Sequence, residues 1–277
     1  MTYLLFSCLV VAGAFLGGML GSLTGLGGGV VIVPMLALLF HVNLRYAIGA
    51  SLISVIATSS GAAAAYVRDG FSNMRIGMFL EIATTVGAIF GAWLATRVPT
   101  SGIAVVFGVI LLYSVYLSLR KRRDSVVAHN PWSDRLGMSG SYPIGQGEDR
   151  KYSVTHIPAG FTAMFGAGTL SGLLGIGSGA VKVLAMDSIM RVPFKVSTTT
   201  SNFMIGVTAA ASAGIYLRKG YIIPALAAPV LLGILPGSLV GAKLLLKAQS
   251  KSLRVVFAFV ILALAVEMIY NGWMGRV

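Results

Sequence analysis

Two glycine clusters stand 150 residues apart and share one plan. Gly25-Leu26-Gly27-Gly28-Gly29 opens a short apolar stretch, and Gly175-Ile176-Gly177-Ser178-Gly179 opens another. Glycine has no side chain, so the backbone there turns sharply and approaches a ligand closely. A helix starting just after the cluster presents free N–H groups and the positive end of its dipole, which together favour an anion. The same glycines also suit close packing between helices. Lys182 favours the anion: it lies three residues into the second stretch, where the first stretch has Ile32. A lysine inside an apolar segment costs about 2.5–3.5 kcal/mol on insertion scales, so it faces a cavity or a partner. Asp187 stands five residues further on, a separation that turns it off the Lys182 face. Neutral donors follow in Ser197-Thr198-Thr199-Thr200-Ser201-Asn202, with a thinner counterpart in Ser51, Ser54 and Thr58-Ser59-Ser60. Hydroxyls like these either hold an anion weakly enough to release it or bond back to their own helix. Ser51, Ser201 and Asn202 are preferred, since Ser51 and Ser201 match at the 150-residue spacing. The candidate anion site is therefore Gly27, Gly28, Gly29, Ser51, Gly177, Ser178, Gly179, Lys182, Ser201 and Asn202. Glu81 and Glu267 also lie in apolar segments, where a carboxyl group relays protons or marks the membrane interface.

Other chemistries find little support. Gly49-Ala50-Ser51-Leu52 superficially fits an intramembrane serine protease, but that mechanism needs a histidine base near the serine. His41, His129 and His156 all fall in or beside loops, and neither an H-E-x-x-H zinc motif nor a Walker A sequence is present. The expectation is no enzyme, no bound metal and no cofactor. Cys8 is the only cysteine, so no internal disulfide forms.

The elements that must position these residues are membrane helices. Of 277 residues 56% are hydrophobic and 10% charged, with mean hydropathy +0.87. A soluble domain of ordinary composition carries about 25% charged residues to solvate its surface. Residues 1–67 hold one formally charged side chain, Arg45. Net charge is +13, and no polar stretch is long enough to fold a nucleic-acid reader, so the basic loops are expected to face anionic lipid. The start of the chain lacks a basic region and a small-residue cleavage site, so residues 4–22 are expected to remain as a span.

Apolar segments fall at 4–22, 29–40, 46–66, 77–96 and 102–119, then at 157–173, 179–190, 196–217, 222–246 and 253–272. The second of each five is short: twelve helical residues rise about 18 Å against a hydrocarbon core of about 30 Å. The halves are copies. At a shift of 150, positions 21–107 give 20 identities in 87 ungapped pairs, in one register throughout. These include Ser51 with Ser201, Tyr66 with Tyr216, Gly87 with Gly237 and Gly91 with Gly241. Internal duplication is the common plan of secondary transporters. The expected fold class is all-α and polytopic, with repeats at 1–119 and 156–277 and a polar linker loop at 120–155. If all five segments per half cross, the repeats are inverted, and 14 basic residues share one side with that loop against five on the other, Arg45, Arg97, Arg218, Lys219 and Arg276. Parallel repeats split the charges 12 to 8. The positive-inside rule prefers the inverted arrangement with the loop in the cytoplasm.

The duplicated G-x-G-x-G turn, the Tyr-x-x-x-Gly ends at Tyr66–Gly70 and Tyr216–Gly220, and Ser201-Asn202-Phe203-Met204-Ile205-Gly206 resemble the TauE/SafE sulfite exporter family. The likeness covers nearly the whole chain outside the central loop. It implies a multi-pass carrier in a bacterial plasma membrane, taking sulfite, organosulfonates or related oxyanions and carboxylates, with Gly27–Gly29 and Gly177–Gly179 lining the substrate site. The second copy departs from the pattern: Ser178 replaces a glycine and Leu184 stands at the position of Pro34, which implies unequal contributions from the halves. An anion channel built on the same turns is the alternative. The expected partners are a small anion, the lipid bilayer and, for the assembled protein, further copies of the chain.

Overall fold

Lipid offers no hydrogen bonds, so each apolar segment satisfies its backbone internally as a helix. A computed structural model describes residues 3–24, 27–68, 72–119, 133, 135–145, 148–247 and 251–275. The first half holds α1 (Tyr3–Thr24), α2 (Gly29–Pro34), α3 (Leu44–Arg68), α4 (Met74–Ala95) and α5 (Thr100–Leu119). The second holds α6 (Ile157–Leu174), α7 (Gly179–Leu184), α8 (Phe194–Arg218), α9 (Pro224–Lys247) and α10 (Lys251–Trp273). Every expected apolar segment is a helix within a few residues of its expected ends. Four are long and apolar enough to cross a membrane by length and composition alone, among the described residues: 4–22, 74–95, 157–174 and 224–241. The surface is apolar, with Leu16, Met78, Ile82, Leu232 and Phe259 exposed, while the interior holds Ser51, Thr84, Lys182, Ser201 and Thr208. Large apolar side chains left outside, with polar ones buried within an otherwise apolar core, fit a lipid-facing exterior.

The two short helices continue into π-helical turns, Met35–Leu39 after α2 and Ala185–Ile189 after α7. Proline at position 34 is not the cause, because Leu184 occupies the same place before the second π turn. Both turns end alike. Val42 N–H donates to the Leu36 carbonyl and Val192 N–H to the Met186 carbonyl, each at 2.9 Å. His41 and Arg191, again 150 apart, take the left-handed conformation that ends many helices. The short segments run back along the helix before them: Gly21 lies against Gly28, Gly17 against Val31, and Gly13 against Met35. Phe6 and Phe40 then meet edge to face, 5.1 Å between ring centres.

Helix directions follow from which residues touch. Gly49 in α3 packs on Tyr221 just past α8, and Ser59 packs on Gly206, so α3 and α8 are antiparallel. Gly108 meets Ala265 and Gly272 meets Ser101, so α5 and α10 are antiparallel as well. These are repeat-matched pairs, and the axis relating the halves is therefore perpendicular to the helices. The remaining major contacts, α1 with α9 and α4 with α6, are parallel and exchange places under that axis. Gly87 abuts the Phe165 carbonyl and Gly237 the Phe15 carbonyl; Gly91 abuts the Thr169 carbonyl and Gly241 the Met19 carbonyl. Both sets keep the 150-residue offset.

The central stretch is more than a loop. It contains an antiparallel hairpin, Gly140–Gly145 with Glu148–Tyr152, which among the described residues is the exception to an all-α architecture. The hairpin is anchored to the bundle. The Asn73 amide donates to the Tyr152 hydroxyl at 2.7 Å, and Tyr152, Met138 and Val154 join a core with Ile76, Leu80 and Met190. The basic run Arg120–Arg123 lies outside the described residues.

Candidate functional site

The two glycine turns meet in the buried centre. The Ser51 hydroxyl donates to the Gly175 carbonyl at 2.7 Å, and a Cβ on Gly29 would fall 2.6 Å from that hydroxyl and 2.9 Å from the same carbonyl. A Cβ on Gly27 would sit 3.6 Å from the Ile176 carbonyl. The Ser201 hydroxyl donates to the Gly179 carbonyl at 3.3 Å. Gly27, Gly29, Ser51, Gly177, Gly179 and Ser201 thus converge where α3 and α8 cross the turns. Both serines hold turn backbone in place; their hydroxyl protons are already committed. Most other hydroxyls of the third segments, those of Ser54, Thr58, Ser59, Ser60 and Thr199, bond back to carbonyls of their own helix. Asn202 is buried on α8 beside Ser201.

The matched turns differ in backbone. Gly28 is right-handed helical at φ −67°, whereas Ser178 is left-handed at φ 48°. Left-handed φ is costly for a residue with a Cβ, of order 1–3 kcal/mol, and such strain concentrates at working sites. The Ser178 hydroxyl is buried with no partner among the described residues. A Cβ on Gly28 would point away from the other turn, toward the Ile234 side chain on α9. Gly28 therefore packs against α9, and Gly27 with Gly29 forms the first-half contact.

Two residues that composition conceals close the centre. Val55 and Ile205 are repeat-matched. Val55 lies 2.9 Å from a Cβ built at Gly29 and 3.0 Å from one at Gly177; Ile205 lies 2.7 Å from one at Gly177 and 4.0 Å from one at Gly27. Each touches turns of both halves. In sequence they were two β-branched residues in apolar helices, and only their 150-residue match could have marked them.

Lys182 is fully buried, and its carboxylate neighbour is Glu81 of the other half, at 4.0 Å. Thr208 joins them: the Lys182 ammonium donates to its hydroxyl at 2.5 Å, and the hydroxyl donates to Glu81 Oε1 at 2.6 Å. Thr85 donates to the same oxygen at 3.2 Å, and Glu81 Oε2 is buried without a hydrogen bond among the described residues. Glu267, by contrast, is exposed on α10. The two apolar-segment glutamates therefore separate into an interior group and a surface one. No group of His, Cys, Asp and Glu suited to a metal ion occurs among the described residues.

Residues 10–268 match the sulfite exporter TauE/SafE family. The chain is 30% identical to the probable membrane transporter protein YunE of Bacillus subtilis, over 96% of this chain and 98% of that one. It is 26% identical to the probable membrane transporter protein YdhB of the same organism, over 85% and 89%. A probable membrane transporter protein of the archaeon Methanocaldococcus jannaschii is 25% identical over 93% of each chain. No solved structure matches the chain. A duplicated bundle with an apolar exterior, polar side chains buried in its core and end-to-end likeness to membrane transporters leaves one assignment: this chain is a multi-pass membrane protein of the sulfite exporter TauE/SafE family.

Proposed function

We propose that the chain is a secondary transporter of a small anion, sulfite or an organosulfonate, exported across a bacterial plasma membrane. The observation that carries this reading is the meeting of two glycine turns, one from each half, in a buried interior that also holds Lys182. Backbone N–H groups and one cation bind an oxyanion without a full cage of charge, so the ligand leaves again. Val55 and Ile205 lie against turns of both halves, where they are suited to close the site between them. Purified protein is expected to bind sulfite and isethionate, and vesicles containing it to show saturable isethionate counterflow. Flux that rises linearly with concentration would indicate a channel instead.

Topology has its own test. Antiparallel matched helices support inverted repeats with all ten segments crossing. The residues brought together at each end support the charge argument: Arg45 donates to the Val98 carbonyl and lies over Tyr221, while Arg75 donates to the Gly137 carbonyl. We place the hairpin in the cytoplasm. In a Cys8→Ser background, an impermeant thiol reagent added to intact cells is expected to label Lys219→Cys and to spare Ser141→Cys. The opposite pattern reverses the orientation, and labelling of both rejects the inverted scheme.

A further inference from the structure

We propose that Glu81 is the proton-coupling group of this transporter, and that an anion engages Lys182 only when a proton has replaced the ammonium as the partner of the Glu81 carboxylate. This rests on the anion-carrier reading above and adds the coupling ion to it.

The inference comes from charge balance in a buried place. Lys182 and Glu81 sum to zero, and Thr208 bridges them across the interface between the halves. An anion bound beside Lys182 makes the interior net negative, which is strongly unfavourable in a medium that hydrates charge poorly. A proton taken from water by Glu81 Oε2 restores neutrality. That oxygen is buried without a hydrogen bond among the described residues and stands 4.0 Å from the Lys182 ammonium, while Oε1 is held by Thr208 and Thr85. The carboxyl becomes neutral, Lys182 loses its counter-charge, and the anion takes that place. On the far side the anion leaves, the proton returns to water, and the ion pair re-forms. One proton moves with each anion, in the same direction.

Among the described residues, Lys182 is the titratable group that faces Glu81. The helix α6 packed on α4 contains none. On α8, Thr208 faces Glu81, while Lys195 and Arg218 stand more than two turns away along the helix. Tyr216 of α8 donates to the Gly172 carbonyl instead. From the α7 segment Lys182 faces Glu81, and Asp187 lies five residues beyond it in the π turn. On α4 itself Arg75 is turned to Gly137 at the bundle end.

Isethionate is the probe, because its sulfonate does not titrate near neutral pH. In weakly buffered detergent, isethionate binding to the wild-type protein is expected to take up about one proton per anion, and affinity to rise as pH falls, by at most about tenfold per unit for one linked proton. Glu81→Gln is expected to show no proton uptake and a flat pH profile, and the exposed Glu267→Gln to behave as wild type. Isethionate binding without proton uptake by the wild-type protein overturns the coupling and leaves the carrier reading intact. Proton uptake that persists in Glu81→Gln assigns it to another group. Absence of any isethionate or sulfite binding removes the carrier reading and this inference with it. The wild-type measurement decides the matter even if Glu81→Gln fails to fold.

Discussion

Gly29→Val and Ser178→Val are each expected to lower isethionate counterflow by at least about a hundredfold, the equivalent of roughly 2.7 kcal/mol. At Gly29 the Cβ alone would stand 2.6 Å from the Ser51 hydroxyl and 2.9 Å from the Gly175 carbonyl, so the two turns must separate to admit it. Overpacking of this kind costs typically 1–3 kcal/mol, and the branched methyls would also cover the N–H groups offered to the anion. At Ser178 the reason is different. Its φ of 48° is poor for any side chain and worse for a β-branched one. Ser178→Gly separates strain from chemistry: it relieves the backbone and deletes the unpartnered hydroxyl. Transport lost in Ser178→Gly would make the hydroxyl a ligand; transport kept would make the backbone the working part. Gly28→Ala is expected to cost within about fivefold, since its φ is right-handed and the closest contacts of its Cβ would be to the flexible Ile234 side chain, with the Gly17 carbonyl at an ordinary 3.7 Å. Counterflow normalised to protein eluting as a single species checks all four. Normal transport by Gly29→Val would reject the turn-to-turn site.

The second large effect is on folding. Gly87→Ala and Gly237→Ala are expected to lower the unfolding temperature by several degrees or to prevent accumulation of folded protein. Read from sequence, Gly87 is a helix-packing glycine that tolerates one methyl and gains helix propensity. The structure corrects this: a Cβ there would fall 2.2 Å from the Phe165 carbonyl oxygen and 3.0 Å from the Thr169 nitrogen. Both are backbone atoms of α6, so no rotamer change relieves the contact and the helices must move apart. A Cβ on Gly237 would fall 2.1 Å from the Phe15 carbonyl oxygen in the matched place. The cost, about 1–3 kcal/mol each, exceeds the gain of up to about 1 kcal/mol in helix propensity. Gly214→Ala, where nothing lies within 4 Å, is the control and is expected to leave stability unchanged or slightly raised. Thermal unfolding followed by loss of the monodisperse peak is the measurement. Equal stability of Gly87→Ala and Gly214→Ala would show that α4 and α6 yield more easily than backbone contact allows.

Hydropathy and repetition were enough to determine class and plan. An apolar segment excluded from water has few options other than a helix, so the ten segments and the short second member of each half were legible before any coordinates. A shift of 150 residues located both glycine turns and singled out Ser51 and Ser201, because duplication preserves local chemistry. The partners across space were not legible. Lys182 has Asp187 as its nearest acidic neighbour in sequence, yet it faces Glu81, 101 positions away on the other half. Gly28 and Ser178 are matched in register but differ in backbone hand, and Leu184 leads into the same π turn as Pro34. Which glycines admit a methyl depended on the helix lying opposite. These outcomes belong to the interface between the halves, where packing distance and burial decide, and one-dimensional periodicity carries no information about who sits across it.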